Sequence, residues 1–163
     1  VIRQQDVDTF STFNSLKDLK DVIACQGAHW PDADILEQAG ITIYRVGHFD
    51  AMLQMVELNR CDYLPLSIFE GHAELEIVQK SFPHLVFFEN LIIQYPLTMN
   101  FFVNSNNINL ANRLELGLKR LNDSGKLIHY MQNHPLTKNA FPLDKFKEAK
   151  VIKLKTNNTV AAS

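Results

Sequence analysis

Asp21-Val22-Ile23-Ala24-Cys25-Gln26-Gly27-Ala28-His29-Trp30-Pro31 is the stretch from which the fold can be read. The apolar run 22–25 predicts a strand, and Gln26 to Trp30 read as the turn that ends it. Pro31 suits the first position of a helix, and Ala33, Ile35, Leu36 and Ala39 carry the helical pattern to Gly40, a residue suited to a C′ position. The pattern then repeats, with a strand over 41–46, a helix over 49–59 and a third strand over 61–66. Strand and helix in alternation predict the α/β class, with a mostly parallel central sheet flanked by helices. Such a sheet places its ligand site at the carboxyl ends of its strands, here residues 26–30 and 66–70.

Outward from that core, residues 1–3 read as a strand fragment with no evident partner in the chain, followed by a polar lead-in with Phe10, Phe13 and Leu16. Strand 41–46 has apolar residues on both faces, the pattern of a strand covered on both sides. Phe49, Met52, Leu53 and Val56 form one helical stripe. A helix is expected over 68–80, ending before Pro83. The apolar region 85–103 reads as two or three strands, at 85–88, 91–95 and 99–103, being dense in aromatic and β-branched residues. Leu110, Leu114, Leu118 and Leu121 mark a helix with Gly125 past its end. Shorter helices are expected over 126–133 and 143–149, a final strand over 151–154, and a loose tail over 156–163.

Composition sets limits on function. The chain of 163 residues is 46% hydrophobic and 21% charged, with a net charge of -2, so no global field recruits nucleic acid or an anionic membrane. No apolar run approaches the 18 or so residues that span a bilayer. The chain starts at Val1 with no basic-then-apolar leader, which is expected of a processed or excised piece. Cys25 and Cys61 are expected to be free buried thiols on strands, a bridge between neighbouring strands being the alternative.

The strings Leu16-Lys17-Asp18-Leu19, Gln26-Gly27, Ile35-Leu36 with Gly40, Met52-Leu53 and Arg60-Cys61-Asp62-Tyr63, in that order, resemble the type 2 periplasmic solute-binding proteins, more narrowly their polar amino acid (family 3) branch. Asn109-Leu110-Ala111, Leu114, Gly117-Leu118 and Ser124-Gly125-Lys126 are similar to that family's carboxy-terminal helix pair. Asp62-Tyr63-Leu64-Pro65-Leu66-Ser67, with Glu70, stands where some gammaproteobacterial members have Asp-Tyr-Phe-Pro-Arg-Gly followed by Glu; Leu66 and Ser67 depart from it. The resemblance implies two lobes joined by crossing strands, with ligand trapped between them. It further implies an incoming strand and lead-in at 1–15, the second lobe at 16–95, and the hinge return with first-lobe helices at 96–155. The amino-terminal half of the first lobe, which supplies the family's arginine clamp, would be missing.

Candidate ligand-binding residues follow. Gly27, Ala28 and His29 lie between strand and helix, where backbone N–H groups and the helix dipole favour an anionic group. Trp30 offers an aromatic face at the cleft mouth, with a lid over the helix start as its alternative role. Ser67 and Glu70 follow the third strand, where the resemblance implies an acidic residue holding a ligand ammonium. Tyr95 is a hinge or cleft-floor candidate. The six histidines show no zinc-helix spacing, and no nucleophile elbow, P-loop or dinucleotide fingerprint occurs, so no metal, cofactor or catalytic residue is expected. The expected protein is a periplasmic binding module for a small polar ligand such as an amino acid, with a membrane transporter or receptor as partner and no nucleic acid. The alternatives are a small-acid dehydratase using His29 or Glu70, and a sensing domain of a signalling or regulatory protein.

Overall fold

The computed structural model describes residues 1–155; the tail at 156–163 lies outside the described residues. Two short strands open and close the first sheet: β1 (Ile2–Arg3) pairs antiparallel with β4 (Leu85–Val86). In the same sheet β2 (Ile23–Gly27) lies parallel to β3 (Thr42–Val46), from Ile23 opposite Thr42 to Gly27 opposite Val46. Tyr63 joins the halves, bridging Ile2 on one side and Ala24 on the other. A second parallel pair forms between β5 (Leu91–Gln94) and β6 (Lys150–Lys153). The expected α/β class is therefore borne out.

Alternation along β2 sorts the core. Ala24 faces a cluster with Phe10, Leu19, Leu36 and Ile152, while its neighbour Cys25 faces a second with Met52, Leu53, Leu64 and Leu85. The first cluster is covered by α1 (Val7–Thr12), α2 (Leu16–Lys20) and α3 (Pro31–Gln38), the second by α4 (Phe49–Glu57) and α5 (Gly71–Val78). Helix α3 starts at Pro31, and Gly40 follows it at φ +86°, as the sequence pattern implies. Arg3, only 6% exposed, ties the layers together. Its guanidinium donates to the carbonyls of Val56 (2.7 Å) and Cys61 (2.8 Å), at the end of α4 and just beyond. Its Nε lies 2.6 Å from Asp6 Oδ2 as a close ion pair, the N–H pointing off the oxygen.

Several expectations are corrected. Residues 1–3 do find a partner in the chain, β4. The lead-in contains a 3-10 turn (Gln4–Asp6), α1 and α2; Asp18 Oδ2 accepts from the Ser15 N–H and hydroxyl, capping α2. The third strand shrinks to the bridge at Tyr63, because Pro65 has no N–H to continue a ladder. Strand β3 is an edge strand with Tyr44 55% exposed, not one covered on both faces. Residues 99–103 form no strand, and 143–149 hold only a 3-10 turn (Leu143–Phe146), the segment before β6 being too short to nucleate an α-helix. Cys25 and Cys61 are not free thiols: they form a disulfide, with Cα atoms 5.7 Å apart, between β2 and the Tyr63 segment.

The two carboxy-terminal helices, α6 (Ile108–Asp123) and α7 (Lys126–Asn133), pack on each other, and neither contains a buried residue. No helix among the described residues is long and apolar enough to cross a membrane.

Candidate functional site

The parallel pair β2–β3 delivers the turn after Gly27 to the start of α3. Gly27 is required there by its neighbour. The Trp30 indole lies directly on the Gly27 backbone, where any Cβ would collide with the ring. That packing holds the ring, 38% exposed, just ahead of α3. The N–H of Gly27 is satisfied by the Gln26 side-chain oxygen (3.0 Å) and that of Ala28 by the Val46 carbonyl (2.9 Å). These two donors are thus spent inside the fold, which corrects the expectation that they face an anion. His29 is exposed on the turn.

Across the sheet, the buried Gln26 also reaches the Pro65 carbonyl at 3.4 Å, linking this turn to the loop that carries Ser67 and Glu70. Ser67 organises that loop. Its hydroxyl accepts from the Phe69 N–H (3.2 Å), and its carbonyl accepts from the N–H groups of Glu70 (3.2 Å) and Gly71 (2.9 Å), leading into α5. Glu70 stands at the N-cap of α5, half-buried. Tyr95 follows β5, and its hydroxyl donates to Asp32 Oδ1 at 2.6 Å. Asp32 is the second residue of α3.

Electrostatics joins these groups into one unit. Burial first, and then the charge of Asp32, push the Glu70 carboxyl above the usual range. Glu74, one turn along α5, is raised by burial and then by Glu70. Burial raises the Tyr95 phenol, reinforced by its hydrogen bond to Asp32. Asp32, Glu70 and Glu74 make no ion pair among the described residues. The nearby Arg45 is engaged instead by Glu37 (2.7 Å) and Asp34 on the outer side of α3, and it donates to the Ala28 carbonyl at 3.1 Å. The result is a shelf of carboxylates and a phenol, suited chemically to a cation and to hydrogen-bond donors.

The structure therefore unites Glu70 and Tyr95 through Asp32 and keeps Trp30 two residues from it. Ser67 and Gly27 serve as local supports. Asp32 and Glu74 were not singled out from sequence as ligand-facing. The signal for Glu74 was its i, i+4 spacing from Glu70, one helical face apart; Asp32 reads only as a first-turn acid. Asp62, by contrast, is structural, accepting from the Ile23 N–H at 2.7 Å. Two concavities lie away from this shelf. One, of about 370 Å³, is lined by Arg3, Glu57, Asn59 and His84; the other, of about 300 Å³, runs along α5 and β4. No group of three or more His, Cys, Asp or Glu side chains among the described residues is arranged to hold a metal ion.

No family model matches the chain, and no curated protein matches it. Among solved structures, the crystal structure of YckB from Bacillus subtilis is similar at 18% identity and a TM-score of 0.48, over 94% of this chain. The chain spans 59% of the length of that structure.

Proposed function

We propose that this chain is the ligand-holding part of an extracytoplasmic solute-binding protein of the type 2 periplasmic kind, and that it captures a small polar ligand with a cationic group, an amino acid or a related amine. One observation carries this reading: Asp32 accepts from the Tyr95 hydroxyl and lies close enough to Glu70 to raise it, as Glu70 in turn raises Glu74, and none of the three carboxylates has a basic partner among the described residues. Uncompensated carboxylates in a half-buried setting raise the free energy of the empty fold, and a ligand ammonium relieves it. The Trp30 face adds cation–π attraction at the mouth. The Cys25–Cys61 disulfide supports an oxidising compartment, because cytosolic thiols are kept reduced. Capture proceeds by closure, the closed state being selected by a ligand that touches both walls. A membrane transporter or receptor reads that state.

The test is calorimetric titration with amino acids, polyamines and small organic acids, alongside Trp30 fluorescence. Amine-bearing compounds are expected to bind, and Glu70→Gln to weaken them by about tenfold or more, equivalent to ~1.4 kcal/mol. Equal binding of acids that lack an amine, or unchanged affinity in the variant, sinks the reading.

A further inference from the structure

We infer that the segment 134–146, between α7 and β6, is a strap whose residues Asn139 and Phe141 position Glu70 in the ligand site. What Glu70 does there rests on the proposed function; the strap's hold on its loop does not. Within that loop the Glu70 N–H is fixed by the Ser67 carbonyl. Its neighbours on both sides are held from outside. Phe69 faces Phe141 of the strap, with ring centroids 6.1 Å apart, and the Asn139 side-chain amide lies 3.2 Å from His72 Nδ1. Between those two contacts Gly71 is pressed so closely on Leu66 and the Phe87 ring that a Cβ would collide with both. Residues 69, 71 and 72 each rest against a partner, so the backbone at Glu70 has one place from which to send its carboxylate. A site is only as well placed as the groups that hold its ligand-facing residue.

The strap is itself braced. Its start is folded onto the end of α7, where the N–H groups of Thr137 and Lys138 both donate to the His134 carbonyl (3.1 and 2.9 Å). A 3-10 turn (Lys138–Ala140) then packs on both α7 and α5, and Ala140 is wholly buried. Lys145 fastens the far side: its ammonium donates to the Asn139 carbonyl (2.7 Å) and pairs with Glu89 (2.6 Å), just ahead of β5. From there the chain runs into β6, which lies along β5, and the Leu154 N–H donates to the Gln94 carbonyl at 2.9 Å, next to Tyr95. One continuous segment thus touches the Glu70 side of the site through Phe141 and Asn139, and the Tyr95 side through β6. It sets the separation between Glu70 and the Tyr95–Asp32 pair, which neither loop fixes alone.

Hydrogen exchange of the backbone amides at 67–74, read by mass spectrometry, and calorimetric titration with free lysine and with putrescine test this. Phe141→Ala is expected to speed that exchange by about tenfold through local opening. It should weaken amine binding by about three- to tenfold, the worth of one aromatic pair. Phe141→Tyr keeps a ring and is expected to restore both. His72→Ala and Asn139→Ala should each loosen the same amides, and the double variant should be no worse than either alone, because the two act as one contact. Phe13→Leu, in the buried cluster on the other side of the sheet, is expected to lower the melting temperature and leave exchange at 67–74 and amine affinity as they are. Unchanged exchange in Phe141→Ala would overturn the inference, as would faster exchange with undiminished amine binding, or equal effects from Phe13→Leu. If neither amine binds the unaltered chain, the amine reading fails, and the exchange rates alone decide whether the strap holds the Glu70 loop.

Discussion

Glu70 is held at a cost to the fold. Its carboxyl is raised by burial and by Asp32, so the folded state binds its proton more tightly than the unfolded chain does. Between the ordinary carboxylate value and the raised one, stability falls as pH rises. Glu70→Gln is accordingly expected to raise the melting temperature at pH 7 by about 1–3 °C, a size that allows for screening at its solvent-facing side. The gain should shrink as pH is lowered through the raised value, and thermal melts from pH 7 down to 4.5 measure it. A residue that destabilises the empty fold and sits beside other carboxylates has the profile of a functional group. Trp30 gives a second handle, because it is the chain's one tryptophan. Gly27→Ala drives a methyl into its ring, so the emission maximum is expected to move to the red and the ligand response to be lost. An unshifted spectrum would mean that Gly27 does not set the ring's position.

The elements around the site are fastened mainly by Arg3 and the disulfide. Arg3 satisfies two carbonyls near the end of α4 and faces Asp6, all within a nearly closed environment. Arg3→Ala leaves those groups buried and unpaired, and chemical denaturation should show a loss of about 3–5 kcal/mol. Cys25 and Cys61 are both wholly buried and close a loop of 36 residues between β2 and the Tyr63 segment. Replacing both by Ala is expected to cost about 4 kcal/mol through loop entropy in the unfolded chain, read from the urea midpoint. Burial adds a kinetic expectation: a thiol reductant should leave the bond intact under native conditions and cleave it once urea unfolds the chain, as alkylation and mass spectrometry would report.

For the molecule as a whole, two groups of carboxylates pull stability in opposite directions with pH. Glu70 and Glu74 are raised, so their fold gains stability as pH falls through their values. Asp18, held low by the backbone N–H of Asn14 and by Ser15, and Glu37, held low by Arg45, give stability above the ordinary carboxylate value that is lost as pH falls through their lowered ones. Through these carboxylates alone, stability rises as pH falls through the raised values and drops again below the ordinary carboxylate value. Urea midpoints of Glu70→Gln and Asp18→Asn across the acid range check it, each variant being expected to flatten its own limb; an unchanged profile in both would contradict it. At this scale β6 also matters, since Ile152 and Leu154 enter the same core cluster as Phe10 and Leu36 and bring the end of the described chain onto its beginning.

The sequence by itself determined what depends on neighbours along the chain. The period of Met52, Leu53 and Val56 fixed α4, Pro31 and Gly40 bracketed α3, and the alternation of strand and helix gave the α/β class. It also placed Trp30, Glu70 and Tyr95 near strand ends, because that follows from order alone. What the tertiary structure decided rests on contacts between distant residues. β1 finds β4 more than eighty residues away, Cys25 finds Cys61, and Tyr95 finds Asp32. Residues 99–103 have strand-forming side chains and still form no strand, because a strand requires a neighbouring edge and no described residue of this chain supplies one. Local pattern states what a segment is able to form, and only pairing across the fold completes its hydrogen bonds and sets its charges beside one another.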